Sequence, residues 1–249
     1  MVAAERLRRV LTDGLFRRES RFSYQIWDSV LICAMLTVTR VELVSSGDAK
    51  EHHMRLQRRL GMALVGAATS VLAFAGPASA ATITGTSGDD TIIGTPNDDD
   101  INARAGDDFV DARAGDDFVE GKRGDDTILG GDGEDTLFGN QGRDTISGQR
   151  DDDDISGGRG DDTLRGGKGN DNITGNSGDD TLRGNTGDDT LSPGTGSDAV
   201  FGGNGNDTVI IQADGKADFI DCGDGVDTVV GTFDAADRFE NCENFQDAF

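Results

Sequence analysis

The sequence predicts an all-β fold in the form of a solenoid, with about seven flattened coils and a C-terminal cap. Three observations predict it. An Asp recurs every nine residues, an aliphatic residue stands two places after each Asp, and Gly is frequent at the positions between them. A short fixed period that is kept over many copies is the signature of a repeat architecture.

An export signal is predicted ahead of the repeats. From Met54 to Ala80 the chain has a basic start, an apolar run over 60–75 and the small-x-small ending Ala78-Ser79-Ala80. These are the three parts of a secretory signal peptide, in order. The apolar run is too short for a good membrane span, so we expect cleavage after Ala80 and no stable membrane insertion; a buried core helix is the alternative.

The stretch upstream of that signal, residues 1–53, is expected to be untranslated or disordered. A signal peptide belongs at the N-terminus of a protein, which makes Met54 the expected start. A translated extension that begins at Met1 is the alternative.

The repeats cover residues 81–210. Fourteen Asp residues follow one another at the nine-residue spacing: Asp90, Asp99, Asp108, Asp117, Asp126, Asp135, Asp144, Asp153, Asp162, Asp171, Asp180, Asp189, Asp198 and Asp207. The aliphatic residues two places later are Ile92, Ile101, Val110, Val119, Ile128, Leu137, Ile146, Ile155, Leu164, Ile173, Leu182, Leu191, Val200 and Val209. We expect these to form one buried column.

Each repeat fits the pattern G-G-x-G-x-D-x-U-x, where U is aliphatic, as in Gly130–Phe138. The x-U-x part suits a very short strand with U pointing inward. Gly permits the positive φ angles of a tight turn and lets carbonyl groups of successive turns converge. Carbonyl and carboxylate oxygens without His or Cys are the ligands that calcium prefers. Two repeats form one coil, and seven stacked coils form a rod about 30 Å long.

The charge of the exported part points to cations as partners. Residues 81–249 carry 12 Lys/Arg against 40 Asp/Glu, a net charge of −28, which opposes binding to nucleic acid. One buried aliphatic side chain for every nine residues is too little to order the turns, and the acidic groups repel one another. We therefore expect a chain that is unfolded without calcium and folds as it binds calcium.

The nonapeptides resemble those of the RTX, or hemolysin-type calcium-binding, family. The resemblance implies a right-handed parallel β-roll with Ca²⁺ in two rows between successive turns, held by the repeat Asp residues and by backbone carbonyls. The implied carbonyl ligands are Gly121, Gly124, Gly130, Gly131, Gly133, Gly139, Gly142, Gly157, Gly158, Gly160, Gly166, Gly167, Gly169, Gly175, Gly178, Gly184, Gly187, Gly202, Gly203 and Gly205. We expect at most about twelve bound calcium ions. Extracellular calcium modules bind the ion at about 10⁻⁴–10⁻³ M.

Two repeats lack the fourth-position Gly and have Asn97 and Asp151 there. Asn tolerates positive φ better than Asp does. The repeat Gly148–Ser156 is therefore expected to be the weakest of those between Gly121 and Thr190.

The segment 211–249 is expected to cap the open end of the solenoid. It begins where the nine-residue register breaks, includes one more repeat-like turn over Cys222–Val230, and ends in a stretch rich in Phe. Cys222 and Cys242 are the only two Cys after the signal peptide. An even number in an exported chain favours a disulfide between them; two free buried thiols are the alternative.

A secreted calcium-binding protein with a structural or cell-envelope role is the predicted function. Residues 81–249 contain no His, which argues against a His-dependent enzyme, and no other segment is large enough to carry a catalytic site. Two alternatives remain. One is an ice-binding or adhesive surface built on the Thr residues that follow the repeat Asp, and the other is the repeat module of an RTX enzyme or toxin. The protein or envelope partner is not readable from the sequence.

Overall fold

The computed structural model describes residues 70–73 and 80–247. Within those residues the chain forms twenty strands and no helix, so none of them provides a helix that could cross a membrane. The interpretation of residues 1–53, and that of most of the export signal, lies outside the described residues.

The strands form two parallel sheets, and successive strands alternate between them. The first sheet contains β1 (Ser70–Ala73), β3 (Asp90–Ile93), β5 (Phe109–Ala114), β7 (Thr127–Asp132), β9 (Thr145–Arg150), β11 (Thr163–Lys168), β13 (Thr181–Thr186), β15 (Ala199–Asn204), β17 (Phe219–Asp224) and β19 (Arg238–Glu240). The second contains β2 (Thr82–Thr84), β4 (Asp100–Ala105), β6 (Phe118–Arg123), β8 (Thr136–Gln141), β10 (Asp154–Arg159), β12 (Asn172–Ser177), β14 (Thr190–Thr195), β16 (Thr208–Ile211), β18 (Thr228–Gly231) and β20 (Asn244–Asp247). The predicted parallel β-solenoid is confirmed.

The register places equivalent repeat positions on top of one another. In the pair β11–β13, Thr163 lies beside Thr181 and Leu164 beside Leu182. All fourteen repeat aliphatic residues are at most 2% exposed. The predicted column is therefore the core, and each coil adds only two large side chains to it.

The coils continue beyond the repeats, which changes the expected coil number. The fourteen repeats make about seven coils, but β17, β18, β19 and β20 extend both sheets into residues 219–247. Loops between these strands absorb the extra residues that break the nine-residue register. The solenoid therefore has about nine turns, and the predicted cap segment supplies the last of them.

A small apolar cluster and a disulfide close the C-terminal end. The rings of Phe233, Phe239 and Phe245 pack edge-on, with centroids 5.3–5.9 Å apart. The Sγ atoms of Cys222 and Cys242 are bonded at 2.00 Å, joining β17 to the segment before β20. The structure thus contains the predicted disulfide.

One strand comes from the predicted export signal. β1 pairs with β3 in parallel, with Leu72 in register with Ile92. It is the first strand of its sheet, and it precedes the expected cleavage point after Ala80.

Candidate metal centre

The repeat Asp side chains form two buried rows, one at each turn side of the solenoid. All fourteen are at most 3% exposed. From Asp108 onward, Oδ1 of each accepts a hydrogen bond of 2.7–3.0 Å from the backbone N–H of the Asp eighteen residues earlier. One oxygen of each carboxylate therefore ties its turn to the preceding turn of the same row.

The second carboxylate oxygen is the unusual feature of these rows. Oδ2 is buried and lacks a hydrogen-bond partner in Asp108, Asp117, Asp126, Asp135, Asp144, Asp153, Asp162, Asp171, Asp180, Asp189, Asp198, Asp207 and Asp227. A buried charged oxygen without a partner is strongly unfavourable. Its recurrence at thirteen equivalent places indicates a site that is built for a bound cation.

Carbonyl oxygens border the space in front of these carboxylates. A Cβ added to Gly130 would lie 3.0 Å from the carbonyl oxygen of Gly148, in the next turn of the row, and closer still to Oδ2 of Asp135. The same convergence recurs at Gly184 with the carbonyl of Gly202. The first Gly of the motif therefore leaves open a space edged by one carboxylate and one carbonyl.

Four of the bordering carbonyls were missed from the sequence because their residues are not Gly. They belong to Ala103, Ala112, Pro193 and Cys222, which occupy the first motif position and face Gly85, Gly94, Gly175 and Gly202. Motif position alone would have found them, since any residue supplies a carbonyl.

The predicted carbonyl-ligand glycines fall into two conformational groups. Those at the second and fourth motif positions have positive φ, for example Gly131 (136°) and Gly133 (133°). Those at the first position do not. Asp151 also adopts positive φ, at 70°, with Gln149 at 88° in the same repeat. The repeat predicted to be weakest is thus one in which two non-Gly residues are strained.

Burial raises the pKa of the twelve row carboxyls from Asp108 to Asp207 well above the ordinary Asp value. Desolvation is the largest cause, and the charges of neighbouring Asp residues add to it, while the backbone hydrogen bond opposes it. The pKa reaches about 8 for Asp153 and Asp180 and about 6 for Asp162 and Asp171. A cation between turns would remove the cause of these shifts by replacing the lost hydration.

A second ladder runs along the residues just before the row Asp, and it was not foreseen. Oδ1 of Asp89 accepts from the N–H of Asp107 at 3.1 Å, and Oδ1 of Asp161 accepts from that of Asp179 at 3.0 Å. These exposed side chains bond to the following turn, whereas the row Asp residues bond to the preceding one. The repeated Asp-Asp pairs of the sequence were the available signal.

Both rows continue past the last repeat. The N–H of Asp198 donates to Oδ1 of Asp218 at 2.9 Å, and that of Asp207 donates to Oδ1 of Asp227 at 2.8 Å. Asp218 and Asp227 donate in turn to Asp237 and Glu243. Like the rows before it, this part of the chain stacks carboxylates turn on turn, although its spacing changes to twenty residues and then to nineteen and sixteen.

Two turns at the N-terminal end differ from the rest. Oδ2 of Asp90 and Oδ2 of Asp99 accept hydrogen bonds from Thr86 and Thr95. The predicted sites at these two Asp residues are therefore not equivalent to the twelve that follow.

The oxygen ligands fit calcium. Within the described residues, no three His, Cys, Asp or Glu side chains converge to hold a metal, so each site would combine carboxylates of consecutive turns with backbone carbonyls. Hard oxygen donors of this kind, in a flexible number, suit Ca²⁺. Thiolates and imidazoles, which softer metals prefer, do not occur in the rows.

Comparison with known proteins agrees with this geometry. The model of the RTX calcium-binding nonapeptide repeat matches four times, at residues 80–110, 111–146, 147–182 and 174–209. No curated protein matches the chain significantly. The matched residues make up more than half of the sequence and coincide with the two Asp rows. The chain belongs to the RTX calcium-binding nonapeptide repeat family.

Proposed function

We propose that this protein is exported and folds outside the cell by binding Ca²⁺ along both Asp rows, and that the folded β-roll has a structural or cell-envelope role. The observation that carries the proposal is the set of thirteen buried Oδ2 atoms without partners. Carbonyl oxygens of the next turn border the space in front of several of them, and a cation would satisfy them all.

The charge of the exported part supports coupling between binding and folding. With −28 over residues 81–249, stacking the coils brings like charges together in buried rows. A dozen divalent cations would neutralise most of that charge, about the number that fits between the repeats. Metal binding would then supply the folding free energy.

The place of folding follows from calcium concentration. RTX repeats are typical of secreted proteins, and extracellular calcium modules bind at about 10⁻⁴–10⁻³ M. A chain with such sites would stay unfolded in the cytoplasm and pass through an export channel in that state. The signal-peptide pattern of residues 54–80 supports the same route.

The role of the folded rod is proposed to be structural and not enzymatic. The family is a structural calcium-binding repeat. An ice-binding face is disfavoured because Phe109 and Phe118, at 37% and 40% exposure, interrupt the Thr columns of the two sheets. A surface with such apolar and charged interruptions is better suited to contacts with an envelope component than to ice, which requires a flat array of hydroxyl groups.

A calcium titration followed by circular dichroism tests the proposal. We expect a cooperative transition from coil to β-structure near millimolar Ca²⁺ for a chain that begins at Ala81, and no transition with Mg²⁺, which demands stricter octahedral geometry. A chain that is already folded in chelator would overturn the coupling of folding to calcium. Ice-recrystallisation and hydrolase assays on the folded chain separate the two alternatives.

A further inference from the structure

The first turn of each Asp row satisfies its carboxylate without a cation. The N–H of Thr86 donates to Oδ2 of Asp90 at 2.5 Å, and the N–H of Thr95 donates to Oδ2 of Asp99 at 2.6 Å. The Thr hydroxyls add bonds of 3.1 and 2.9 Å to Oδ1 of the same carboxylates. In these two turns a backbone N–H therefore donates to Oδ2, the oxygen that has no partner in the later turns.

Both Thr residues occupy the second motif position, and the backbone there distinguishes them from all later repeats. In the twelve repeats that follow, the residue at this position has positive φ: Arg104, Arg113, Lys122, Gly131, Asn140, Gln149, Gly158, Gly167, Asn176, Asn185, Gly194 and Gly203. Thr86 and Thr95 do not have positive φ. Each of the twelve is Gly, Asn or an unbranched side chain, whereas Thr is β-branched and resists that region.

The sign of φ decides which group meets the carboxylate. An N–H and the C=O of the same peptide unit point in opposite directions. With φ negative at the second position, the N–H of Thr86 points at Oδ2 of Asp90. With φ positive, the N–H of the equivalent residue makes no such bond, and Oδ2 of its Asp stays without a donor.

We propose that the second residue of each nonapeptide determines whether that turn holds Ca²⁺, and that Thr86 and Thr95 make the first turn of each row a metal-free cap. A donor N–H aimed at Oδ2 both satisfies the oxygen and places positive charge where a cation would bind. The first gap in each row is then closed to calcium. The largest number of calcium ions that we expect the repeats to bind therefore falls from about twelve to about ten. This inference rests on the proposed calcium-binding function.

The sequence itself contains a matched pair for this idea. Residues 85–91 read GTSGDDT and residues 175–181 read GNSGDDT, so that they differ only at Thr86 and Asn176. Asn176 has a φ of 78°, and Oδ2 of Asp180 has no partner. The same six neighbouring residues, with Thr in place of Asn, give a hydrogen-bonded carboxylate at Asp90.

Exchanging these two residues tests the proposal. Full-length Thr86→Asn and Asn176→Thr variants are dialysed to equilibrium against CaCl₂, and bound calcium is counted by elemental analysis, with circular dichroism in saturating calcium as the check of folding. We expect Thr86→Asn to bind one more ion than the wild type and Asn176→Thr to bind one fewer. Thr91→Asn, in the same first turn but on the strand, is the matched control and should leave the number unchanged, since Asn172 occupies that strand position natively.

The outcomes separate this inference from the function on which it rests. A wild-type chain that binds no calcium would remove the proposed function. A wild type that binds calcium, with a folded Thr86→Asn variant that gains no ion, would overturn this inference alone. If Thr86→Asn does not fold in saturating calcium, Asn176→Thr decides: an unchanged ion number in that variant overturns the proposal, and the loss of one ion in a folded chain supports it.

Discussion

Asp144 and Asp162 are joined across consecutive turns of one row: the backbone N–H of Asp144 donates to Oδ1 of Asp162 at 2.7 Å. Asp162 is 1% exposed, and its Oδ2 has no partner. One oxygen is thus committed to the backbone and the other is left for a cation. The carboxylate therefore links two coils through Oδ1 and is a candidate metal ligand through Oδ2. Because the two oxygens have different roles, a substitution can remove the metal ligand and keep the link.

Replacing the row carboxylate should weaken calcium binding, while replacing its neighbour should not. Asp162→Asn keeps an oxygen that can accept from Asp144 but loses the charge that attracts Ca²⁺. We expect the loss of roughly one or two ions and a several-fold higher calcium concentration at the folding midpoint. Asp161→Asn makes the same change of charge on an exposed side chain that accepts only from Asp179. Equal effects of the two variants in the titration would contradict the assigned role.

Acid should favour the calcium-free fold and oppose calcium binding. The twelve row carboxyls from Asp108 to Asp207 have pKa values of about 6 to 8 in the folded chain, such as about 7 for Asp126 and about 8 for Asp180, against about 3.9 when unfolded. The folded apo state therefore binds more protons, and its stability falls as the pH rises from about 4 to 8.

Calcium must displace those protons, so its affinity should fall as the pH is lowered from 8 to 5. Calorimetric titrations in buffers of different ionisation enthalpy would measure proton release directly. Binding that releases no protons near pH 6 would show that the row carboxyls are already ionised in the calcium-free state.

Relieving the strained repeat should stabilise the fold. Asp151 has a φ of 70°, and its charge contributes to the raised pKa of Asp153. Asp151→Gly removes both the left-handed side chain, worth about 1 kcal/mol, and the repulsion. Asp151→Asn removes the charge but keeps a side chain in the left-handed region, which Asn tolerates only in part. We expect the Gly variant to have the higher melting temperature at a fixed calcium concentration, and a higher value for the Asn variant would contradict the role of backbone strain.

The disulfide should stabilise the last coils. Cys222 and Cys242 are twenty residues apart, and cross-links that close loops of this size contribute about 3 kcal/mol. Cys242→Ser should lower the melting temperature of the calcium-loaded chain. A reducing agent should have the same effect on the wild type and none on the variant. An unchanged wild-type melting temperature after reduction would show that the cap holds without the bond.

The period of the sequence was enough to predict the core and the Asp rows. A nine-residue spacing fixes which residue points inward, so Ile92 to Val209 all lie in the column. The number of coils could not be read in the same way. After Asp207 the spacing changes to eleven residues before Asp218, and whether a loop or another coil fills the difference depends on packing against the preceding strands.

The fine structure of the first turns was also beyond the sequence pattern. Asp90 and Asp99 keep the spacing of the other repeat Asp residues, but Thr86 and Thr95 donate hydrogen bonds to them. The backbone at the second and fourth motif positions of these two repeats also lacks the positive φ of the later ones. In the consensus motif the second position is simply a Gly. In the structure, the two repeats without positive φ at this position are those in which its N–H donates to the Asp four places later.

The eighteen-residue register has a mechanical consequence. Because each coil pairs only with its two neighbours, a rod pulled by its ends should unravel one coil at a time, in even steps. Each released coil lengthens the chain by about 60 Å, the span of eighteen extended residues. The bond between Cys222 and Cys242 shields the final coil from this extension, so the force should peel the rod from its N-terminal end.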